Sequence, residues 1–596
     1  MRSAFPLALA LVLSQPVPAG PLPAQSDGGT NRQEYQIKIT DLSIPVRNGV
    51  RLHARMWRPL GLDDPGPVIL SLTPYTVDDA HERGTFFAKH GYVYVNVDAR
   101  GRGGSEGEFW PLQQDGPDGH DVVQWVAQQP WCDGRVGMRG GSYRGMVQWQ
   151  TLRERPSALS TIVPTASVHP GWDYPNPSGI FLSYAARWLA FVNGAASQSS
   201  LFGDTDYWRG KYLEKHQQHR PFADLDDLTG LPPRVFQRWI EHPYYDSFWQ
   251  VMNPGPGDYR TFDLPILTIT GYFDGDQPGA MKYYQDHMRH GRDRGKAQHY
   301  LVIGPWSHGG TRRPVKELSG LVFGENSVIE MEQLHLDWFN WVFKDGPRPD
   351  ILRDRVVYYV MQSNEWKHAA GLESVTTDTV RWYLSSEGGR ANDVFRSGTL
   401  SASLPTEPGV DSYVHDPRQT QAEGERVQAL SGSYVSGGMA FAPGPKLVYH
   451  SPPLDEALEV SGYVKLEAYT ELNVPDTDIL AFLYEVRPDG ETIYLGRSEL
   501  RARHRHGVDR ADLVTPGKVE LYEFDRFYWF SRKLLRGSRL RLVIMPLNTP
   551  DRDKNYHSGG NTIHETDQDA RTAEVRIHHG PDHPSALLLP VSRDGN

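Results

Sequence analysis

Val136-Gly137-Met138-Arg139-Gly140-Gly141-Ser142-Tyr143-Arg144-Gly145 decides how this chain is read. Val136 to Gly141 predicts a short strand, and a helical pattern follows to about Arg153, so Ser142 falls on a strand-to-helix turn. Glycines flanking the serine let the backbone take a strained turn that lifts the hydroxyl into an open cleft. The strict G-x-S-x-G spacing is not met, because position 144 is Arg and the closing glycine is Gly145. Most Gly-flanked serines are ordinary turn residues, so the stretch takes its meaning from its surroundings.

Those surroundings alternate strands with helices. Val68 to Leu72 and Tyr92 to Val97 are apolar, β-branched or aromatic runs bounded by Pro, Gly or Asp. Val122, Val123, Trp125 and Val126 fall on one helical face. Strand, helix, strand, helix in this order predicts βαβ units and a parallel sheet. The rhythm stops over 161–255, where Trp172, Tyr174, Phe181, Tyr184, Trp188, Phe191, Trp208 and Tyr212 fall on helix-like spacings; this segment reads as an inserted helical cap. It resumes from 256, with strands over Leu264–Thr270 and His299–Ile303 and helices over Pro278–Met288 and Glu330–Phe343. Beyond 348 the runs are short and separated by Gly, Pro and Asp turns, the pattern of an all-β sandwich over 349–593. The expected architecture is an α/β hydrolase fold, doubly wound on a mostly parallel sheet. Its sheet domain comes in two parts, 34–160 and 256–348.

A serine becomes a nucleophile only when a base takes its proton and a carboxylate orients that base. Asp274, in Gly271-Tyr272-Phe273-Asp274-Gly275, and His308, in Gly304-Pro305-Trp306-Ser307-His308, both follow predicted strand ends. Open α/β sheets place their sites there. The chain order Ser, Asp, His is that of α/β hydrolases. Their conjunction singles out His308 among 23 histidines.

Thr73-Pro74-Tyr75, Asp98 to Gly107 (DARGRGGSEG), Gln129-Pro130-Trp131, Gly140 to Gly145, Gly271 to Gly275 and Gly304 to His308 together resemble one family. It is the cocaine-esterase and X-prolyl dipeptidyl-peptidase group of serine hydrolases (CocE/NonD type), which includes α-amino-acid ester hydrolases and glutaryl-cephalosporin acylases. Asp476-Thr477-Asp478 and Arg501-Ala502-Arg503 match that family's C-terminal jelly roll, and its elbow carries the offset glycine seen at Gly145. The resemblance implies Ser142 as nucleophile, His308 as general base and acid, and Asp274 as the orienting carboxylate. It also implies an oxyanion hole made by the Tyr75 phenol and the Tyr143 N–H. In its α-amino-ester hydrolases, acidic residues after the triad aspartate hold the substrate's ammonium. Here Asp276 follows, with Asp173 in the cap as a second acid, and the cap aromatics Trp172 and Trp188 are candidates to line the acyl pocket. The sequence expectation is that Asp276 hydrogen-bonds the turn beneath Asp274, so that uncharged esters react at least as well as α-amino esters. Activity is expected to rise with pH as His308 loses its proton, near 6.5 unless the site shifts it.

Composition narrows the rest. The 596 residues are 38% hydrophobic and 23% charged, with 58 glycines and 45 prolines, so large cores and many turns are expected. Net charge is −11 with no basic block, which argues against nucleic-acid or anionic-membrane partners. The single cysteine, Cys132, allows neither an intrachain disulfide nor a thiolate metal cluster and reads as a packing residue. Gly101-x-Gly103 has Glu106 where a dinucleotide fingerprint needs glycine, and there is no H-E-x-x-H or Walker A pattern. His504-Arg505-His506 and Asp476/Asp478 read as solvated surface or loop hydrogen bonding. No cofactor or metal is expected. Arg2, the apolar run Ala4–Leu13 and small-residue sites at Ala19 and Ala24 predict a secretory signal peptide over 1–24, hence an exported protein.

The expected activity is hydrolysis of a small ester or amide, or a short peptide, through Ser142. X-prolyl dipeptidyl-peptidase and α-amino-acid ester hydrolase or acylase chemistry stand as alternatives, and so does an exported binding protein on an inactive hydrolase fold. The sandwich reads either as a cover for the site or as a mediator of a homo-oligomer.

Overall fold

The computed structural model describes residues 35–592 except 63, 389, 421–433, 436–437 and 442. The expected signal peptide lies outside the described residues. Strands β1 (Ile37–Pro45), β2 (Arg51–Pro59), β3 (Gly66–Thr73), β4 (Val93–Asp98), β5 (Cys132–Ser142), β6 (Leu159–Ser167), β7 (Ile266–Phe273) and β8 (His299–Ser307) form one sheet. Its order is β1-β2-β4-β3-β5-β6-β7-β8, continued by Val356–Val360 and Glu365–Ala369. From β4 through β8 to Val356–Val360 every pairing is parallel, and antiparallel strands close both edges.

A parallel strand is buried on both faces, so it reads as a continuous apolar run whose alternate residues serve different cores. Val68, Leu70 and Leu72 of β3 pack with Val122, Val126, Met146 and Val147, from the helices Asp115–Ala127 and Tyr143–Arg153. Ile69, between them, packs on the other face with Phe87, Trp338 and Phe339, from the helices His81–Lys89 and Met331–Phe343. Helices therefore cover both faces, as a doubly wound sheet requires.

Two expected boundaries move. Leu159–Ser167, the start of the expected cap, is a central strand between β5 and β7. Pro164 and its Ser/Thr neighbours argued against a central strand, yet these side chains are almost all buried. Val356–Val360, expected in the sandwich, pairs in parallel with β8 instead. A five-residue apolar run has the same pattern in either setting. Between β6 and β7 the chain forms short helices, among them Tyr184–Phe191, Thr205–Gln217 and Pro233–Ile240. From Asp378 to Ser592 the longer elements are strands.

The Asp476/Asp478 and Arg501/Arg503 motifs are not solvated. Arg501, 3% exposed, donates to both oxygens of Asp478 at 2.8 Å and to Asp553 at 2.9 Å. Arg503 donates to Asp476 at 2.7 Å, and Asn555 bridges Asp476 and Asp478. The network also reaches the cap, since Arg501 donates to the Gly179 carbonyl and Asp553 accepts from the Phe181 N–H. Buried charges are tolerated when paired in this way, and here they weld the cap to the β domain. His504 is also buried, and its Nδ1 meets the Arg510 carbonyl at 3.0 Å.

Candidate active site

Register brings the candidate residues to one edge of the sheet. Ser142 ends β5, and Asp274 and His308 directly follow Phe273 and Ser307, which are paired across β7 and β8. Tyr75 lies two residues beyond the end of β3. Ser142 has φ 64° and ψ −128°, a left-handed conformation that a serine adopts only under constraint. The elbow's glycines explain the offset spacing. A Cβ on Gly140 would lie 2.5 Å from the Cβ of Arg144, and one on Gly145 would lie 2.4 Å from Ser167 Oγ. The nucleophile helix thus packs onto β6 at Gly145, not at position 144.

His308 Nδ1 is 2.8 Å from Oδ1 of the fully buried Asp274. That oxygen also accepts the Asp276 N–H at 3.0 Å, and Thr270 Oγ1 donates to the other at 3.4 Å. Burial works against charge on the His308 ring, but Asp274 and then Asp276, whose Oδ2 lies 3.5 Å away, outweigh it and raise its pKa to about 9. Asp274, Asp276 and His308 each bring a donor atom within 4.8 Å of the others. The Nδ1 bond to Asp274 is the arrangement that readies the other ring nitrogen for proton transfer.

The Tyr75 hydroxyl accepts a hydrogen bond from Trp188 Nε1–H at 3.3 Å and borders the same cavity as Ser142. Burial raises its pKa, which keeps the phenol protonated as a donor. Two braces that sequence reading did not assign hold this corner. Arg102, fully buried in the DARGRGGSEG loop, donates to the Pro74 carbonyl at 2.8 Å and to the Gly194 carbonyl in the cap. The Tyr143 hydroxyl donates to Asp115 at 2.5 Å and accepts the Leu112 N–H, while its ring stacks on Trp188. Burial pushes the Asp115 carboxyl up to about 7.

These residues open on a cavity of about 800 Å³ whose lining includes Tyr75, Ser142, Tyr143 and His308 together with Trp172, Asp173, Trp188 and Asp276. Asp276 hydrogen-bonds the turn through its backbone N–H, which donates to Asp274, while its carboxylate borders the cavity. Asp173 accepts the His169 N–H through Oδ1, while its buried Oδ2 has no partner. Burial, reinforced by the charge of Asp276, pushes the Asp173 carboxyl well above the usual range. The β domain supplies another wall, with Arg497, Glu499, Arg526, Tyr528 and Asp551. Nothing local in the sequence marks these residues.

Comparison with known proteins agrees with this architecture. Residues 48–310 match the X-Pro dipeptidyl-peptidase (S15 family), and 352–588 match the X-Pro dipeptidyl-peptidase C-terminal non-catalytic domain. A cocaine esterase from Rhodococcus sp. (strain MB1 Bresler) is 28% identical over 93% of this chain and 98% of its own length. The fold is similar to that of an aminopeptidase from the marine sediment archaeon Thaumarchaeota archaeon, with a TM-score of 0.79 at 23% identity over 96% of this chain and 98% of that one. It is equally similar to an α-amino acid ester hydrolase, with a TM-score of 0.79 at 22% identity over 95% and 98%. The two domain matches together account for most of the sequence in the order the structure shows, and the chain belongs to the X-Pro dipeptidyl-peptidase S15 family of serine hydrolases.

Proposed function

We propose that this hydrolase cleaves carboxylic esters, and amides of the same acids, through an acyl-enzyme on Ser142. The observation that carries the reading is the strained Ser142 elbow on the same cavity as the Tyr75 hydroxyl and a His308 bound to Asp274. Ser142 Oγ attacks the carbonyl carbon as His308 Nε2 takes its proton. The negative oxygen is met by the Tyr75 O–H and the Tyr143 N–H. The alcohol or amine leaves with the proton from His308, and water, deprotonated by the same ring, releases the acid and restores Ser142. An organophosphonate ester should form one covalent adduct, on Ser142 and located by peptide mass mapping; an intact protein that stays unmodified contradicts the reading. Residues 1–24 are read as a cleaved export signal.

The raised His308 pKa has a signed consequence. The imidazole acts as base only when neutral, so kcat/KM should rise with pH through a midpoint on the alkaline side of 6.5. Asp276→Asn removes one charge that favours the imidazolium, so the midpoint should fall. A pH–rate profile on an uncharged ester measures both; a wild-type midpoint at or below 6.5 contradicts the electrostatic account.

A second reading concerns the acyl group. Asp173 and Asp276 border one cavity, and Asp173 Oδ2 is buried without a donor. An α-ammonium group would supply that donor and relieve the repulsion between the two carboxylates. This reverses the sequence expectation of indifference to the amino group. Phenylglycine methyl ester should exceed phenylacetic methyl ester in kcat/KM by about tenfold or more, roughly 1.4 kcal/mol at the transition state. Asp276→Asn should erase most of that preference, and equal rates for the two esters would overturn the reading.

A further inference from the structure

Five cationic side chains border the active-site cavity: Lys282, Arg289, Arg497, Arg526 and Arg552. Two of them are neutralised. Lys282 Nζ is 2.6 Å from Asp286, and Arg552 is paired with Asp551 and, at 3.4 Å, with Glu499. Arg289 is exposed. Arg526 differs, because among the described residues its guanidinium has no ion-pair partner or hydrogen bond, whereas burial at Arg497 is outweighed by the charges of Glu499 and Asp551, which raise its pKa.

Arg526 is held in a defined place. Its Cζ lies 4.1 Å from the centroid of the Trp172 ring, and Lys282 Nζ lies 4.9 Å from the same ring. One indole therefore carries two cations, with only Lys282 compensated by an acid. The segment bearing Arg526 is fastened to the turn that carries the acid–base pair. Gln277, fully buried, donates to the Gly271 and Trp529 carbonyls at 3.0 and 2.8 Å and accepts the Trp529 N–H at 2.7 Å. Tyr528 also donates to the Gly275 carbonyl at 3.2 Å. Asp276, next to Gln277, and Arg526 are thus set at a fixed spacing by hydrogen bonds between the two domains. Burial lowers the Arg526 pKa against the pull of Asp525 and Glu499, the mark of a guanidinium that loses water without gaining a full partner.

We propose that Arg526 is an anion subsite that takes a carboxylate carried by the substrate. A guanidinium presents planar paired donors that match a carboxylate, and partial desolvation strengthens the contact. The subsite rests on the hydrolase reading above. Substrates of this enzyme then carry a negative group that the β domain recognises, in addition to the group held at Asp173 and Asp276.

Two ester pairs locate the carboxylate. Phenylacetyl esters of 3-hydroxybenzoate and 3-hydroxybenzamide place it on the leaving group; 4-nitrophenyl hydrogen adipate and its methyl ester place it on the acyl chain. In at least one pair the carboxylate ester should be favoured about fivefold or more in kcat/KM, and rising ionic strength should erode that preference. Arg526→Gln should cost the carboxylate ester at least about fivefold more than its neutral partner, with Arg526→Lys retaining part of the difference. A preference below about fivefold in both pairs overturns the subsite, as does one that persists in Arg526→Gln. If Arg526→Gln does not fold, the salt dependence of the wild-type preference decides, and a salt-independent preference overturns the proposal. Turnover of the neutral esters with no charge preference removes the anion subsite alone. Loss of phosphonate labelling at Ser142 removes the hydrolase reading beneath it.

Discussion

Ser142→Ala should lower kcat/KM by about 10⁴-fold or more, with His308→Ala and Asp274→Asn losing activity on the same order. Each replacement removes a different part of one proton path. Without Ser142 there is no covalent intermediate. Without His308 the hydroxyl keeps its proton. With asparagine at 274, the buried carboxylate that holds His308 Nδ1 at 2.8 Å is gone, and the ring loses both its orientation and the charge that stabilises its protonated form. Combined variants should be little worse than the most damaging single one, because the three groups act as a unit. Steady-state kinetics on an aryl ester, with thermal unfolding to check that each variant folds, measures this. Ser142→Ala retaining activity within about tenfold of the parent would refute the assignment.

Tyr75→Phe should lower kcat by roughly 10²–10³ and leave KM nearly unchanged, as for other deletions of a single oxyanion donor. Phenylalanine preserves the stacking of this ring on Phe191, whose centroid is 5.4 Å away, and the Arg144 guanidinium at 5.7 Å. What disappears is the hydroxyl that faces the cavity beside Ser142 and accepts from Trp188. The effect therefore reports on charge developing in the transition state, because the packing remains. A change confined to KM would reduce Tyr75 to a wall of the pocket. Trp188 is then freed of its acceptor in either case, so its fluorescence gives an independent check that the local structure survives.

Much of the sheet was legible because parallel strands and amphipathic helices write themselves locally. Val68–Leu72 and His299–Ile303 are buried throughout and apolar except at Ser71 and His299, as two covered faces demand, and the glycines around Ser142 mark a backbone turn that few other residues tolerate. Leu159–Ser167 was not legible, since its Ser, Thr and Pro side chains are buried by neighbours far along the chain. The DARGRGGSEG loop was visible as a motif, but its work, bracing Pro74 through Arg102, depends on a contact 28 residues away.

The sequence alone determined the alternation of strands and helices on either side of the cap and singled out Ser142, Asp274 and His308 as candidates, because strained turns, burial periods and strand ends are properties of short segments. Tertiary structure decided the charge environment of those residues. Asp173 meets Asp276 from the far side of an entire strand and turn, and Arg526 reaches the cavity from a domain that begins more than two hundred residues after Ser142. Electrostatic fields act through space within a few ångströms. The carboxyl shifts at Asp173 and Asp276, the raised pKa of His308 and the uncompensated guanidinium over Trp172 come into being only when the chain closes on itself.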